Sequence, residues 1–209
     1  MGKDVLIDFE TMGKDATTCA VIDCSVIVFD KSRFLSNKPY DLSSISEAKK
    51  FKLSIKDQVV NYGYIVDKST VKFWEEQSPE VRSKIMPKKD DLTVAEFCTE
   101  LLSFLSGKGK IDYWWSRSNT FDPIILTRLF QSQNKLLMIE EYLKFWRVRD
   151  MRTFIDAKLD FPKVNGFVPI KDEKKWEVNF KQHDSAWDVL ADLLRMQTIA
   201  RIENDMEQT

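Results

Sequence analysis

The pattern of apolar positions predicts strands in the first part of the chain. Residues 5–9 form a short apolar run that ends among acidic residues, and residues 20–29 form a longer run rich in β-branched side chains. Both runs are typical of strands, and the turn-forming residues 12–18 between them favour a hairpin. A third strand is expected near residues 51–55.

Helical spacing takes over further along the chain. Ser69 or Thr70 is a candidate cap for one helix, and Ser78-Pro79-Glu80 has the composition of a second helix start. Thr93 is a candidate cap for a third helix, whose apolar face continues until Gly107. The chain is therefore expected to combine strands with several helices.

The second half of the chain mixes both periodicities. Residues 111–115 resemble a strand that runs into a polar turn, and residues 121–130 have helical spacing, so Asp122 is placed at a strand-to-helix junction. Residues 167–180 are typical of a lysine-rich hairpin that could serve as a flap. A last helix is expected over residues 184–202, with an apolar stripe along one side.

Composition limits the classes of protein. A chain of 209 residues with 43% hydrophobic side chains is expected to form a single domain over residues 1–209. The net charge of -1 excludes a globally basic nucleic-acid binder, so any contact with nucleic acid is expected to be local. Cations held by acidic residues are one source of the positive charge that meets a phosphate.

Cysteine content and hydropathy predict a cytoplasmic protein. The three cysteines, Cys19, Cys24 and Cys98, are odd in number and have no CxxC spacing, which argues against a disulfide framework and against a cysteine zinc site. No signal peptide is recognised and no apolar run approaches membrane-spanning length. We therefore expect a cytoplasmic location and no membrane partner.

Four acidic residues are candidates for a metal site, although each also has a structural interpretation. Asp8 and Glu10 are two positions apart in a predicted strand, so both side chains point to one face, which is also what the solvent face of an edge strand would show. Asp122 suits an ordinary helix cap. Asp188 lies close to the apolar stripe of the last helix, where a carboxylate needs a partner. His183, the single histidine, precedes that helix, and a lone histidine is more often structural than catalytic.

The order of these motifs resembles a known family. Asp8-Phe9-Glu10-Thr11-Met12-Gly13, then Phe121-Asp122, then His183 followed five positions later by Asp188 are similar to the three exonuclease motifs of DnaQ-like enzymes of the DEDDh type. Further segments resemble the T-even bacteriophage members of that family: Gln77-Ser78-Pro79-Glu80-Val81-Arg82, Phe145-Trp146 with Arg149-Asp150, and His183-Asp184-Ser185. The likeness runs in order over most of the chain.

The resemblance implies a fold and an activity. It implies an α/β protein with a ribonuclease-H-like mixed sheet flanked by helices, and a 3′-to-5′ exonuclease that uses two Mg²⁺ or Mn²⁺ ions to release nucleoside 5′-monophosphates. By position, Asp8, Glu10, Asp122 and Asp188 match the metal-site carboxylates and His183 matches the general base. Thr11 and Met12 match positions that lie against the terminal nucleotide, and Phe121, beside an acidic motif, is a further candidate for contact with a base. An asparagine often found shortly before the second aspartate has no firm counterpart in Ser118-Asn119-Thr120.

The expected partner is a nucleic acid with a free 3′ end. Single-stranded DNA is the substrate that the resemblance favours, trimming of RNA ends is the alternative, and a non-catalytic binding module of the same fold is a third hypothesis. The spacing of the motifs does not separate DNA from RNA, because that choice depends on contacts to the 2′-hydroxyl.

Two groups of basic residues have alternative roles. A phosphate contact and a solvated face are both open for the lysines of the predicted hairpin, and for Arg149-Asp150 a structural ion pair is as consistent as a substrate clamp. The residues concerned are Arg147, Arg149, Arg152, Lys171, Lys174, Lys175 and Lys181.

Overall fold

The computed structural model describes residues 2–159, 166–168, 170 and 183–208. Most of the predicted hairpin over residues 167–180 lies outside the described residues, and so do the four lysines that were candidates for phosphate contact, Lys171, Lys174, Lys175 and Lys181. The single-domain organisation over residues 1–209 stays a prediction.

The described strands form one mixed sheet. In spatial order the sheet is β3-β2-β1-β4-β5, with antiparallel pairing among β1, β2 and β3 and parallel pairing of β1 with β4 and of β4 with β5. The predicted hairpin of the first two strands is confirmed. The strands span Lys3–Thr11 (β1), Val21–Phe29 (β2), Lys49–Lys52 (β3), Ile111–Ser116 (β4) and Val148–Asp150 (β5).

Helices flank both faces of this sheet. The two faces of β1 show why, because Val5, Ile7 and Phe9 enter one apolar core with residues of α4 and α5, whereas Leu6 enters a second core with residues of α7 and α8. The helices span Ile55–Tyr62 (α1), Lys68–Glu75 (α2), Pro79–Ile85 (α3), Val94–Ser106 (α4), Asp122–Ser132 (α5), Leu136–Glu140 (α6), Met151–Lys158 (α7) and Ser185–Glu207 (α8). The expected α/β class is confirmed.

Helix α8 is the element that faces the strands most extensively. It packs on β1 and β2, and several of its apolar side chains are fully enclosed. Among the described residues, no helix combines the length and the apolar composition that crossing a lipid bilayer requires.

Two predicted helix starts are confirmed and one is displaced. The Ser78 hydroxyl accepts the Val81 N–H at the start of α3, and Thr93 forms a reciprocal capping box with Glu96 at the start of α4. Helix α2 is capped by Asp67, whose carboxylate accepts the N–H groups of residues 69 and 70. The prediction that Ser69 or Thr70 is the cap was therefore wrong, because the aspartate just upstream is a charged acceptor for the same donors.

The third strand is shorter and earlier than expected. β3 ends at Lys52, and the Ser54 hydroxyl accepts the Asp57 N–H to cap α1, which begins at Ile55. The apolar side chains of residues 51–55 therefore belong to a strand end and a helix start instead of one strand. The last helix, in contrast, continues five residues beyond the expected end at residue 202.

A buried glutamine forms hydrogen bonds with the first residue of β2. Gln58 of α1 is inaccessible to solvent, and its amide accepts the Val21 N–H at 2.7 Å and donates to the Val21 carbonyl at 2.8 Å. The side chain thus supplies both hydrogen bonds that a neighbouring strand would otherwise supply. It ties α1 to the sheet beside the turn that follows β1.

We expect Gln58→Ala to lower the free energy of unfolding by about 2–4 kcal/mol, because the buried N–H and carbonyl of Val21 lose their partners. Urea denaturation of the two proteins measures the difference. Gln131→Ala, on the exposed side of α5, is the matched control and is expected to change stability by less than about 0.5 kcal/mol. Equal stability of the Gln58→Ala and Gln131→Ala proteins would contradict the role assigned to Gln58.

Candidate active site

The two carboxylates of β1 lie on a central strand. β1 pairs with β2 on one side and β4 on the other, so the interpretation of Asp8 and Glu10 as the solvent face of an edge strand was wrong. Their side chains alternate with the core residues Ile7 and Phe9 and point to the face that α8 covers. The position of Asp8 and Glu10 on β1 therefore places both side chains beneath α8.

Asp188, in the first turn of α8, completes a close group of three carboxylates. Oxygen atoms of Asp8, Glu10 and Asp188 all lie within 4.8 Å of one another. Burial, followed by repulsion from Asp122 and Asp188, raises the pKa of Asp8 well above its usual value. Burial and then the charge of Asp188 likewise raise the pKa of Glu10. The group has the oxygen donors and the excess negative charge that a divalent cation requires.

Asp122 contacts the backbone of β1 near this group. It is the first residue of α5, it is 4% exposed, and its Oδ1 accepts the Phe9 N–H at 3.2 Å. The residue at the cap position is Phe121, which makes no side-chain cap, so the interpretation of Asp122 as the N-cap was wrong. Asp122 lies outside the close group of three, but its charge raises the pKa of Asp8. The structure therefore brings all four predicted carboxylates together.

Burial dominates the titration of the two helix-borne carboxylates. It raises the pKa of Asp122 to about 7, although the hydrogen bond from the Phe9 backbone acts in the opposite direction. Burial and then the negative charge of Asp192 raise the pKa of Asp188 to about 7. At neutral pH these two carboxylates are therefore only partly ionised.

His183 is held between α2 and the start of α8. Its ring packs edge-on against Phe73 at 5.0 Å and Trp74 at 5.8 Å between ring centroids. Burial lowers the pKa of His183, so the imidazole is neutral at neutral pH. Its backbone has a φ of 58°, a left-handed conformation that is uncommon outside glycine. A strained backbone held by aromatic packing fixes this side chain at a defined place.

A cavity of about 340 Å³ lies beside the carboxylates. Glu10 of the close group of three carboxylates lines it, as do Thr11 and Phe121, two of the three predicted substrate-binding residues. Met12 is not part of this wall and packs instead against the apolar core. The remaining lining residues are Gly13, Lys14, Ser69, Thr70, Phe73 and Trp74.

The turn after β1 shapes this cavity. The Thr11 hydroxyl donates to the Gly13 carbonyl at 2.6 Å, and the Trp74 indole N–H donates to the Thr11 carbonyl at 3.0 Å. A Cβ at Gly13 would lie 2.8 Å from the Cys19 side chain, so the turn has no room for a larger residue. Phe73 and Trp74 were not predicted as site residues, because their helical spacing resembles ordinary core packing.

An ion-pair network anchors the start of α8. Lys50 of β3 contacts Asp23 at 3.0 Å and Asp184 at 3.1 Å, and Lys84 contacts Asp184 at 2.6 Å. Asp184 is the cap of α8, and the Ser185 hydroxyl donates to Asp23. Asp188 and His183 are thereby positioned against the sheet. No sequence signal pairs residues this far apart.

Another carboxylate of α8 lies one turn beyond Asp188. Asp192 is 5% exposed and pairs with Arg117 at 2.5 Å and with Arg195 at 2.8 Å. Two guanidinium groups pair with Asp192, whereas none of Asp8, Glu10 and Asp188 forms an ion pair within the described part of the chain. The spacing of four between Asp188 and Asp192 was a signal in the sequence, because it places both on one side of a helix.

Two arginines near the middle of the chain form hydrogen bonds with backbone carbonyls. Arg147 donates to the Ile111 carbonyl at 3.0 Å, and Arg149 donates to the Val148 carbonyl at 2.8 Å. The Asp150 carboxylate accepts the Thr153 N–H and caps α7. The structural ion pair between Arg149 and Asp150 that was one interpretation of this segment is therefore absent.

Comparisons with known proteins agree with this geometry. A family model described as the 3′-5′ exoribonuclease Rv2179c-like domain matches residues 3–194. The exodeoxyribonuclease of Enterobacteria phage T4 is 32% identical over 217 aligned positions, which cover 98% of this chain and 92% of the phage protein.

Solved structures establish the fold. Exonuclease I of E. coli, in complex with a dT13 oligonucleotide, is similar with a TM-score of 0.64 at 14% identity, over 100% of this chain and 43% of that one. This chain thus spans less than half the length of exonuclease I. A chain from the structure of the yeast NOT1 MIF4G domain co-crystallised with CAF1 has a TM-score of 0.58 at 11% identity, over 96% of this chain and 79% of that one.

These similarities confirm the ribonuclease-H-like fold and the exonuclease activity that the motifs indicate. The chain belongs to the Rv2179c-like family of DnaQ-like 3′-to-5′ exonucleases, hydrolytic enzymes that act on nucleic acid.

Proposed function

We propose that this exonuclease removes nucleotides from the 3′ end of single-stranded DNA, with two Mg²⁺ or Mn²⁺ ions and His183 as general base, and releases nucleoside 5′-monophosphates. The observation that carries the proposal is the convergence of the half-buried carboxylates of Asp8, Glu10 and Asp188 within 4.8 Å, with Asp122 near enough for its charge to act on Asp8. These residues come from three elements that are distant in the sequence.

The donor set fits hard divalent cations. Carboxylates that lie this close together repel one another, and that repulsion contributes to the raised pKa values of Asp8 and Glu10, although the charge of Lys50 acts in the opposite direction on Glu10. Asp8, Glu10 and Asp188 would hold one ion, and Asp8 with Asp122 would hold the second. When bound, such ions neutralise the phosphate, promote ionisation of the attacking water and stabilise the leaving 3′ oxygen.

His183 is suited to take the proton from the attacking water. Burial lowers the pKa of His183, so its ring nitrogen is free to accept a proton at neutral pH. The edge contacts with Phe73 and Trp74 restrict rotation of the ring. The imidazole is therefore a preorganised base, whereas the carboxylates act as ligands.

The cavity beside Glu10 is the proposed site of the terminal nucleotide. Phe121, Phe73 and Trp74 give it aromatic walls that can stack on a base without regard to its identity. Lys14, at the same wall, supplies a positive charge for a phosphate. Met12, which packs against the core, would support the turn that carries Thr11.

DNA is the substrate that the comparisons favour. The phage T4 relative that covers 98% of this chain is an exodeoxyribonuclease, whereas the matching family model is described as an exoribonuclease domain. The second candidate is therefore RNA, and the discriminating contact is with the 2′-hydroxyl.

A time course on 5′-labelled DNA and RNA of one sequence, with Mg²⁺, Mn²⁺ or chelator, tests the activity and its substrate. We expect stepwise shortening from the 3′ end that requires the cation, faster on single-stranded DNA than on RNA or on a blunt duplex, with 5′-monophosphates as products. Faster digestion of RNA would replace the DNA assignment, and shortening in the presence of chelator would contradict the metal-dependent mechanism.

Substitutions separate metal binding from proton transfer. We expect Asp8→Ala to abolish both turnover and calorimetric binding of Mn²⁺. His183→Ala should lower kcat about 10²–10⁴-fold and leave Mn²⁺ binding nearly unchanged, since the imidazole acts on a proton instead of the cation. Glu47→Ala, at an exposed carboxylate whose partner is Arg33, is the matched control. Loss of Mn²⁺ binding in His183→Ala would show that the histidine is a ligand and not the base.

The stability of the metal-free protein should fall as pH rises. The folded-state pKa values of Asp122 and Asp188 are raised to about 7, above the unfolded value of about 3.9, so the folded state holds extra protons between these limits. We therefore expect the Tm in chelator to decrease from about pH 4 to about pH 7.

Added Mg²⁺ should raise the Tm more at pH 7.5 than at pH 5, because protonated carboxylates bind the cation poorly. Asp8→Asn should make the metal-free protein more stable than the wild type at pH 7.5, since it removes one of the repelling charges. A Tm that is independent of both pH and Mg²⁺ would show that the cluster carries no such repulsion.

A further inference from the structure

A second cavity, of about 390 Å³, lies at the other end of α8 from the carboxylates. Its walls come from β4, from α7 and from the second half of α8, including Met196 and Glu203. At 1.5 Å per helical residue, these two residues are about 12 and 22 Å further along α8 than Asp188. The cavity is therefore separate from the proposed active site.

One wall of this cavity is aromatic and rigid. Trp115 packs edge-on against Phe154, with ring centroids 5.2 Å apart, and its indole N–H donates to buried Asp4 at 2.8 Å. Tyr113 lies two residues earlier on the same strand and lines the same cavity. Aromatic surfaces held in this way can stack on nucleobases of any sequence.

The cavity is also lined by basic side chains. Among the described residues, three basic side chains line it, Lys31, Arg149 and Lys158, together with one acidic side chain, Glu203. Lys158 is paired with Glu203 at 2.6 Å, and Lys31 is paired with Asp4 at 3.1 Å. The net charge of the lining is positive, which favours an anionic ligand.

Arg149 is the lining cation that forms no ion pair with a described carboxylate. Its guanidinium lies over the Tyr113 ring, 4.4 Å from the centroid, and its hydrogen bonds go to the backbone carbonyls of Trp146 and Val148. Within the part of the chain that the structure describes, no carboxylate forms an ion pair with it. A guanidinium fixed against an aromatic ring is well suited to bind a phosphate, since little side-chain entropy remains to be lost.

We propose that this cavity is a second nucleotide-binding site, with the base against Tyr113 and Phe154, which buried Trp115 supports from behind, and the phosphate at Arg149. Its volume falls within the range of small-ligand sites. A nucleotide of this chemistry comes from one of two sources: a free mononucleotide, or a nucleotide unit of a strand bound to the enzyme. The site goes beyond the proposed chemistry at the carboxylates, and its existence does not depend on cleavage.

Binding in the presence of chelator tests the site without degradation. We expect Arg149→Gln to weaken binding by about tenfold, as for loss of one charge-assisted phosphate contact, and Tyr113→Leu to weaken it through lost stacking. The ligands are dAMP, measured by calorimetry, and fluorescent oligo(dT) of 3 and 12 nucleotides, measured by anisotropy. Arg82→Gln, at an exposed arginine of α3, is the matched control and should bind all ligands as the wild type does.

The ligands distinguish the two sources. If the site holds free mononucleotide, Arg149→Gln weakens binding of dAMP and leaves both oligonucleotides unaffected. If it holds a strand, Arg149→Gln weakens binding of the 12-mer and leaves the 3-mer unaffected. Either result supports the site, with thermal melting used to confirm that each variant is folded.

Wild-type affinity of Arg149→Gln for dAMP and for both oligonucleotides would overturn the proposal, and so would failure of the wild type to bind any of them. Cation-dependent degradation of the 3-mer is measured in parallel. Because that reaction reports on the carboxylates alone, its failure is distinguishable from failure of the second site.

Discussion

Mutual repulsion among carboxylates under α8 is the constraint on which the rest of this structure depends. A strand in the middle of a sheet points alternate residues to one face, and here that face presents Asp8 and Glu10 to a helix that adds Asp188. Hydrophobic contacts on either side must hold the charges together, because the charges themselves push apart. The apolar neighbours Ile7 and Phe9 on β1 and Val189 and Leu190 on α8 provide that force.

The acidic residues in and around the cluster fall into two classes, those with ion-pair partners and those without a comparable partner among the described residues. Acidic groups that serve the scaffold are neutralised, as Asp184 is by Lys50 and Lys84, and Asp192 by Arg117 and Arg195. The carboxylates of the cluster have no comparable partner among the described residues. The protein thus anchors both ends of the first two turns of α8 with ion pairs, and the carboxylates of the cluster lie between these anchors.

The sequence was sufficient for the main elements and for the identity of the clustered carboxylates. Strand periodicity located β1 and β2, and local caps such as Ser78 and Thr93 located helix starts, because these signals act within a few residues. The predictions that were wrong or missing concern positions whose structure depends on tertiary contacts. The sequence alone favoured a helix cap for Asp122, but in the structure its carboxylate accepts a backbone N–H of β1. The spacing of Phe73 was typical of a core residue, but in the structure its ring packs against His183 at the start of α8. The boundary between β3 and α1 depends on the Ser54 cap, which interrupts an otherwise continuous apolar run.

The distance along the chain between the clustered carboxylates has a consequence for biosynthesis. Asp188 follows Asp8 by roughly 180 residues, which at 5–20 residues per second is a delay of about 10–35 s. A nascent polypeptide therefore lacks Asp188, and with it the complete group of three carboxylates, until α8 has been made.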